Sequence, residues 1–121
     1  MLSVKNTTNL NYNDPAFEKI KSRILGKEYE LSLVLCADTL IKKLSLQYKG
    51  NLKHTNVLSF PISDSEGEIF INIREAQRKY KNESKKHILF LFIHACLHLA
   101  GEKHSKKMEH LEDKLCKEFI S

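Results

Sequence analysis

Histidines 94, 98 and 104 fall in one short stretch, His94-Ala95-Cys96-Leu97-His98-Leu99-Ala100-Gly101-Glu102-Lys103-His104, which reads H-x3-H-x2-G-x2-H. Two histidines four residues apart on a helix share a face, one above the other. A glycine takes the left-handed conformation that ends a helix and turns the chain, so Gly101 lets the third histidine fold back towards the first two. Three imidazoles converging on one point, with a fourth position open, form the geometry of a catalytic zinc site.

Burying two histidines in an apolar helix is costly unless their ring nitrogens find partners. Backbone carbonyls or water serve that purpose for a lone histidine. The pair followed by Gly101 and His104 favours a metal. Zinc suits three neutral imidazoles best, and nickel or copper would also fit. An open zinc position lowers the pKa of a bound water towards ~7 and so supplies a nucleophile at neutral pH. The spacing matches the long zinc-protease signature H-E-x-x-H-x-x-G-x-x-H. In that signature the glutamate is the general base. Ala95 stands in its place here and cannot take a proton, which argues against the usual route of peptide hydrolysis. A substrate with a better leaving group or self-assisting oxygens is favoured, and the phosphodiesters of RNA meet that description.

The rest of the chain must position this stretch. Leu2-Ser3-Val4-Lys5 alternates weakly, as an edge strand does. Asn13-Asp14-Pro15 starts a helix whose face is Phe17, Ile20 and Ile24, stopped at Gly26. Leu31, Leu33 and Leu35 alternate as a strand. Asp38 reads as the N-cap of a second helix, with Leu40, Ile41, Leu44 and Tyr48 inward and Lys42, Lys43 and Gln47 outward. Val57-Leu58-Ser59-Phe60 is a short strand ended by Pro61. A polar turn over 63–67 leads into a strand over 69–73, forming a hairpin. A short basic helix over 74–80 follows, then a helix over about 86–100 that is apolar nearly all round. The last helix begins at Ser105 and faces inward with Met108, Leu111, Leu115 and Phe119. The connection from the 31–36 strand through the second helix to the 56–60 strand is long enough for a parallel crossover.

With 121 residues and 41% apolar content, one domain over 1–121 with a modest core is expected. The start, Met1 to Thr7, lacks a charged segment followed by an apolar block, so no secretory leader is expected. The longest apolar run, 88–93, is too short to span a bilayer, and a cytoplasmic protein follows. Cys36, Cys96 and Cys116 are odd in number and show no C-x-x-C pairing, which argues against a disulfide framework or a cysteine zinc site. Cys96 lies on the far side of the helix from its histidines and reads as a small buried hydrophobe. The net charge of +5 is concentrated in two segments, 42–53 and 74–86, each carrying +4. They read either as a phosphate-binding surface or as ordinary solvated helix faces. His54 either points into a cleft as a proton donor or, the favoured reading, sits on a surface loop. His87 and His110 lack convergent spacing and read as surface residues. Asn56 and Ser59 are candidates for a cleft lining, although alternation does not say which face they take.

Three blocks resemble one known family. Thr55-Asn56-Val57-Leu58-Ser59-Phe60-Pro61, then Gly67-Glu68-Ile69, then 94–104, are similar in order and spacing to the YbeY family of bacterial endoribonucleases, over about residues 31–120. The resemblance implies an α+β domain and one zinc held by His94, His98 and His104. It also implies single-strand RNA cleavage in small-subunit ribosomal RNA maturation and ribosome quality control. Some positions depart from the family pattern. Lys49 stands where arginine follows the tyrosine, keeping the charge without the bidentate fork. His54 replaces proline, Ala95 glycine and Glu68 aspartate. Glu102 and Lys103 replace tyrosine and aspartate. That aspartate would anchor a ligand imidazole, a part open to Glu102 but not to Lys103.

The sequence thus predicts a single α+β domain with a roughly four-stranded mixed sheet, about five helices and a central buried helix bearing the metal-binding histidines. The expected function is a zinc-dependent single-strand endoribonuclease, with Lys49 as the catalytic residue that offsets phosphate charge. Expected partners are single-stranded RNA, chiefly ribosomal RNA, together with ribosomal or ribosome-assembly proteins, and no membrane. Two rivals stay open: a ribosome-associated RNA-binding module with a structural zinc, and a zinc hydrolase of another substrate class.

Overall fold

The computed structural model describes residues 1–120. Its elements run β1 (Leu2–Asn6), α1 (Ala16–Leu25), β2 (Glu30–Cys36), α2 (Asp38–Lys49), β3 (Val57–Ser63), β4 (Glu66–Asn72), α3 (Ile73–Tyr80), α4 (Ser84–Leu99) and α5 (Lys106–Phe119), with a 3-10 turn at Lys81–Glu83 before α4. The four strands form one mixed sheet in the order β1-β2-β4-β3. β1 and β4 flank β2 in parallel, and β3 runs antiparallel to β4. An α+β domain with a four-stranded mixed sheet and five α-helices is what the sequence predicts.

The pleat sends alternate side chains to opposite faces, and both faces are covered. Leu31, Leu33, Leu35, Ile69 and Ile71 enter the larger core with Phe17, Ile20, Phe92, Ile93, Met108 and Leu115. Val34, Cys36 and Phe70 face the other way, onto Ile41 of α2 and Leu58. Helix α4 lies in the larger core and buries nine of its sixteen residues. Gly67 keeps it close to the sheet, because a Cβ there would lie 2.5 Å from the Tyr29 hydroxyl and 3.0 Å from Leu99.

Five details differ from expectation. The crossover from β2 through α2 does not place β3 parallel beside β2. The parallel neighbour of β2 is β4, and β3 lies outside it. The reason is chemical: Ile69, Phe70 and Ile71 are all buried and suit a central strand, whereas Pro61 has no N–H and suits an edge. For the same reason Pro61 does not end β3, which continues to Ser63 through a register shift. The hairpin's second strand stops at Asn72, whose side chain accepts from Glu75 N and starts α3. Tyr48 is exposed and packs edge-on against Phe60 at 5.3 Å. Ser45 takes the inward place, because its hydroxyl donates to Asn51 O at 2.6 Å and ties down the loop after α2.

Asp38 is not the cap of α2 but its first residue. Its carboxylate accepts two hydrogen bonds from Arg78, at 2.8 and 3.0 Å, and one from Asn72 Nδ2 at 2.8 Å. These bonds, from Arg78 first and Asn72 second, lower its pKa to about 2. Asn72 is fully buried. It also donates through Nδ2 to Thr55 O and through its backbone to Asn56 O, at 3.0 and 2.9 Å. The Thr55–Asn56 entry to β3 is therefore fixed to the start of α3.

Candidate active site

Helix α4 carries His94 and His98 on one face, half-buried. Its end is a Schellman turn: Glu102 N donates to Leu97 O and Gly101 N donates to His98 O, each at 3.0 Å. Gly101 takes φ +97° to make it. The turn folds the chain back, and His104 arrives beside the first two histidines. The ring centroids of His94, His98 and His104 stand 4.5, 5.4 and 4.7 Å apart, and one nitrogen of each lies within 4.8 Å of the others.

The protons on these rings are set by their outer partners. His94 Nδ1 meets the Glu112 carboxylate at 2.5 Å, and His98 Nδ1 meets Glu102 O at 3.1 Å. Both partners are acceptors, so each Nδ1 carries the proton and each Nε2 presents a lone pair. Those two Nε2 atoms stand 3.0 Å apart. Facing lone pairs at that separation repel unless a cation lies between them. Burial, then repulsion from His94, holds His98 below the usual histidine range, which keeps its ring neutral near pH 7. The donor set therefore fits a metal ion that takes neutral imidazole nitrogens.

Glu112 was not foreseen from sequence. It sits on α5 in the stripe of Met108 and Leu115, with its side chain only 13% exposed. A carboxylate within an apolar helical face is the signal that would have found it. Glu102, to which the sequence leaves the anchoring part open, serves through its backbone carbonyl, and its side chain turns to Lys107 Nζ at 3.5 Å. Lys103 has no part in either contact.

The three histidines lie at the wall of an open cavity of about 600 Å³. Lys49, the last residue of α2, lines it as well, with Asn56 and Ser59 of the β3 side. His54 is exposed, as expected, but stands on the cavity rim. Ala95 is buried and lines the cavity without a titratable group. His110 is exposed and does not reach it. Cys96 is fully buried, and burial pushes its thiol up, in keeping with a packing role. Among the described residues no helix is long and apolar enough to cross a membrane.

A family model described as Endoribonuclease YbeY matches residues 4–120. The chain belongs to the YbeY endoribonuclease family. Among curated YbeY relatives, the Thermosipho melanesiensis endoribonuclease is 29% identical over 94% of this chain and 93% of its own. The Mycoplasma capricolum protein is 31% identical over 93% of this chain and 84% of its own. The Thermotoga maritima protein is 33% identical over 85% and 68%, respectively. A Thermotoga maritima protein of known solution structure superposes with a TM-score of 0.65 at 27% identity, covering 98% of this chain and 89% of that one. YbeY membership and the histidine cluster agree with each other: the family is named for an RNA hydrolase, and the cluster is able to hold a metal ion.

Proposed function

We propose that residues 1–121 form a single metal-dependent endoribonuclease domain, specific for single strands and acting in the maturation of small-subunit ribosomal RNA and in ribosome quality control. The substrate implies the cytoplasm, with ribosomal or ribosome-assembly proteins as neighbours. In this reading His94, His98 and His104 hold one zinc ion, and Lys49 is the catalytic cation for the phosphate. The observation that carries it is the pair of lone-pair nitrogens, His94 Nε2 and His98 Nε2, 3.0 Å apart at an open cavity. Structural zinc sites are closed by a fourth protein ligand, whereas catalytic ones keep a position open.

When bound, the ion supplies a water made acidic enough to act as nucleophile near neutral pH. The chain's own groups do the rest. Glu112 and the Glu102 carbonyl hold the imidazoles in the tautomer that offers Nε2. Lys49 faces the cavity with no ion pair among the described residues, so its charge is free to offset that of a phosphodiester. Ala95 leaves the protease base position without a proton acceptor, which favours an RNA phosphodiester over a peptide.

Elemental analysis of the purified protein, paired with cleavage of a single-stranded RNA on the same sample, tests this. About one zinc per chain is expected, with cleavage lost on chelation and restored by zinc. Cleavage that continues at full rate in metal-free protein would sink the mechanism.

A further inference from the structure

Four rings form a ladder that leads out of the cavity. On α4, His87, Phe90 and His94 recur at helical spacing on one face, and Tyr80 at the end of α3 stacks on His87. Tyr80 and His87 have centroids 3.8 Å apart with planes inclined at 26°. His87 to Phe90 and Phe90 to His94 are each 6.3 Å, at 24° and 31°. Each ring is thus inclined to its neighbour by no more than 31°, so that no neighbouring pair stands edge-on. Tyr80 and Phe90 remain 43% and 37% exposed, and neither belongs to either core cluster. Phe90 lines the cavity beside His94. The ladder's flank is the basic segment 74–86, with a net charge of +4. Within it Arg78, Lys79 and Lys86 are engaged by Asp38, Glu75 and Glu83, while Lys81 and Lys85 are exposed and form no ion pair among the described residues.

We infer that Phe90 and Tyr80 form a base-stacking track for single-stranded RNA, which carries nucleobases on one side of the scissile phosphate away from the metal site. Aromatic faces bind every base, because each has a π-face, and a neighbouring cationic surface follows the phosphates. A duplex hides its base faces, so the track also explains a preference for single strands. The inference rests on the endoribonuclease reading and deepens it by naming the nucleobase subsite.

The test uses zinc-loaded protein and a defined single-stranded oligoribonucleotide, measuring affinity together with kcat and KM. Phe90→Ala is expected to weaken binding about 5- to 150-fold, the range for loss of one base stack. The loss should appear in KM more than in kcat, and Phe90→Tyr should restore it. Tyr80→Ala, farther from the cavity, should give a smaller loss that Tyr80→Phe restores. Oligonucleotides with a single abasic position give a second readout: weakening on one side of the cleavage site only is expected. A wild-type enzyme that cuts the RNA while Phe90→Ala binds it equally well, or abasic sites that act alike on both sides, would overturn the track and leave the nuclease reading intact. A wild-type holoenzyme that neither binds nor cuts would remove both.

Discussion

Glu112 of α5 holds Nδ1 of His94 on α4, a contact between residues eighteen positions apart in the sequence. It decides which nitrogen of His94 faces the cavity. Partners of this kind orient a ligand ring and raise its basicity, and their loss typically lowers metal affinity about 10- to 100-fold. Glu112→Ala is expected to fall in that range when zinc is titrated against a chromophoric chelator. Glu112→Gln should lose less, because its amide oxygen still accepts from Nδ1–H. Unchanged affinity in the alanine variant would remove Glu112 from the metal site's support.

Removing the ion should stop cleavage without unfolding the chain. The larger core is continuous beneath the histidines, through Phe92, Ile93 and Met108, and owes nothing to a metal. An ion at a hundred times its Kd adds about 2.7 kcal/mol of stability, so chelation should lower the melting temperature while circular dichroism still reports a folded protein. His98→Ala should behave as the chelated protein does, with no zinc and no cleavage. Complete unfolding on chelation would make the ion structural.

Much of this was legible before the fold was known, because it depends on local spacing. The i, i+4 histidines, the Gly101 turn and the alternation of Leu31, Leu33 and Leu35 each follow from backbone geometry. What was not legible depends on contacts between distant segments. Nothing near His94 points to Glu112, which reaches it only because α5 packs on α4. The place of β3 outside β4 followed from burial on both faces of β4, which a run of three apolar residues hints at but does not specify. The aromatic ladder was hidden for a similar reason: Tyr80 and His87 lie on different helices, joined by a 3-10 turn with Lys81 at φ +45°.

Lys49 is exposed and reaches the cavity from the end of α2. If it meets one phosphate, Lys49→Ala should reduce the slope of log K against log salt by about 0.7, the value for one contact to a single strand. Its kcat/KM should fall about tenfold or more, as for loss of one charge-stabilising group. Lys49→Arg should keep or raise activity, since guanidinium offers phosphate two parallel donors. An alanine variant with the wild-type salt slope and rate would remove Lys49 from the reaction.

The network of Asp38, Arg78 and Asn72 makes stability depend on acid. The Asp38 carboxyl titrates at about 2 in the folded chain, below its ordinary 3.8, because Arg78 and then Asn72 hydrogen-bond its charged form. A folded-state pKa below the unfolded one gives stability that is present above the ordinary value and is lost as pH falls through the lowered one. Asp38→Asn should therefore be less stable than wild type at neutral pH by about 1 kcal/mol, the size expected for a partly exposed, charge-assisted contact. The gap should shrink between about pH 4 and pH 2 as wild-type Asp38 takes up its proton. Urea midpoints of both proteins across that window measure it. A gap that stays constant with pH would show that the loss lies in packing and not in charge. The cavity would register the change as well, since Asn72 also holds the backbone of Thr55 and of Asn56, and Asn56 lines the cavity. Asp38→Asn should therefore raise the KM for RNA at neutral pH, and Arg78→Ala, which removes the same ion pair from its other end, should raise it too.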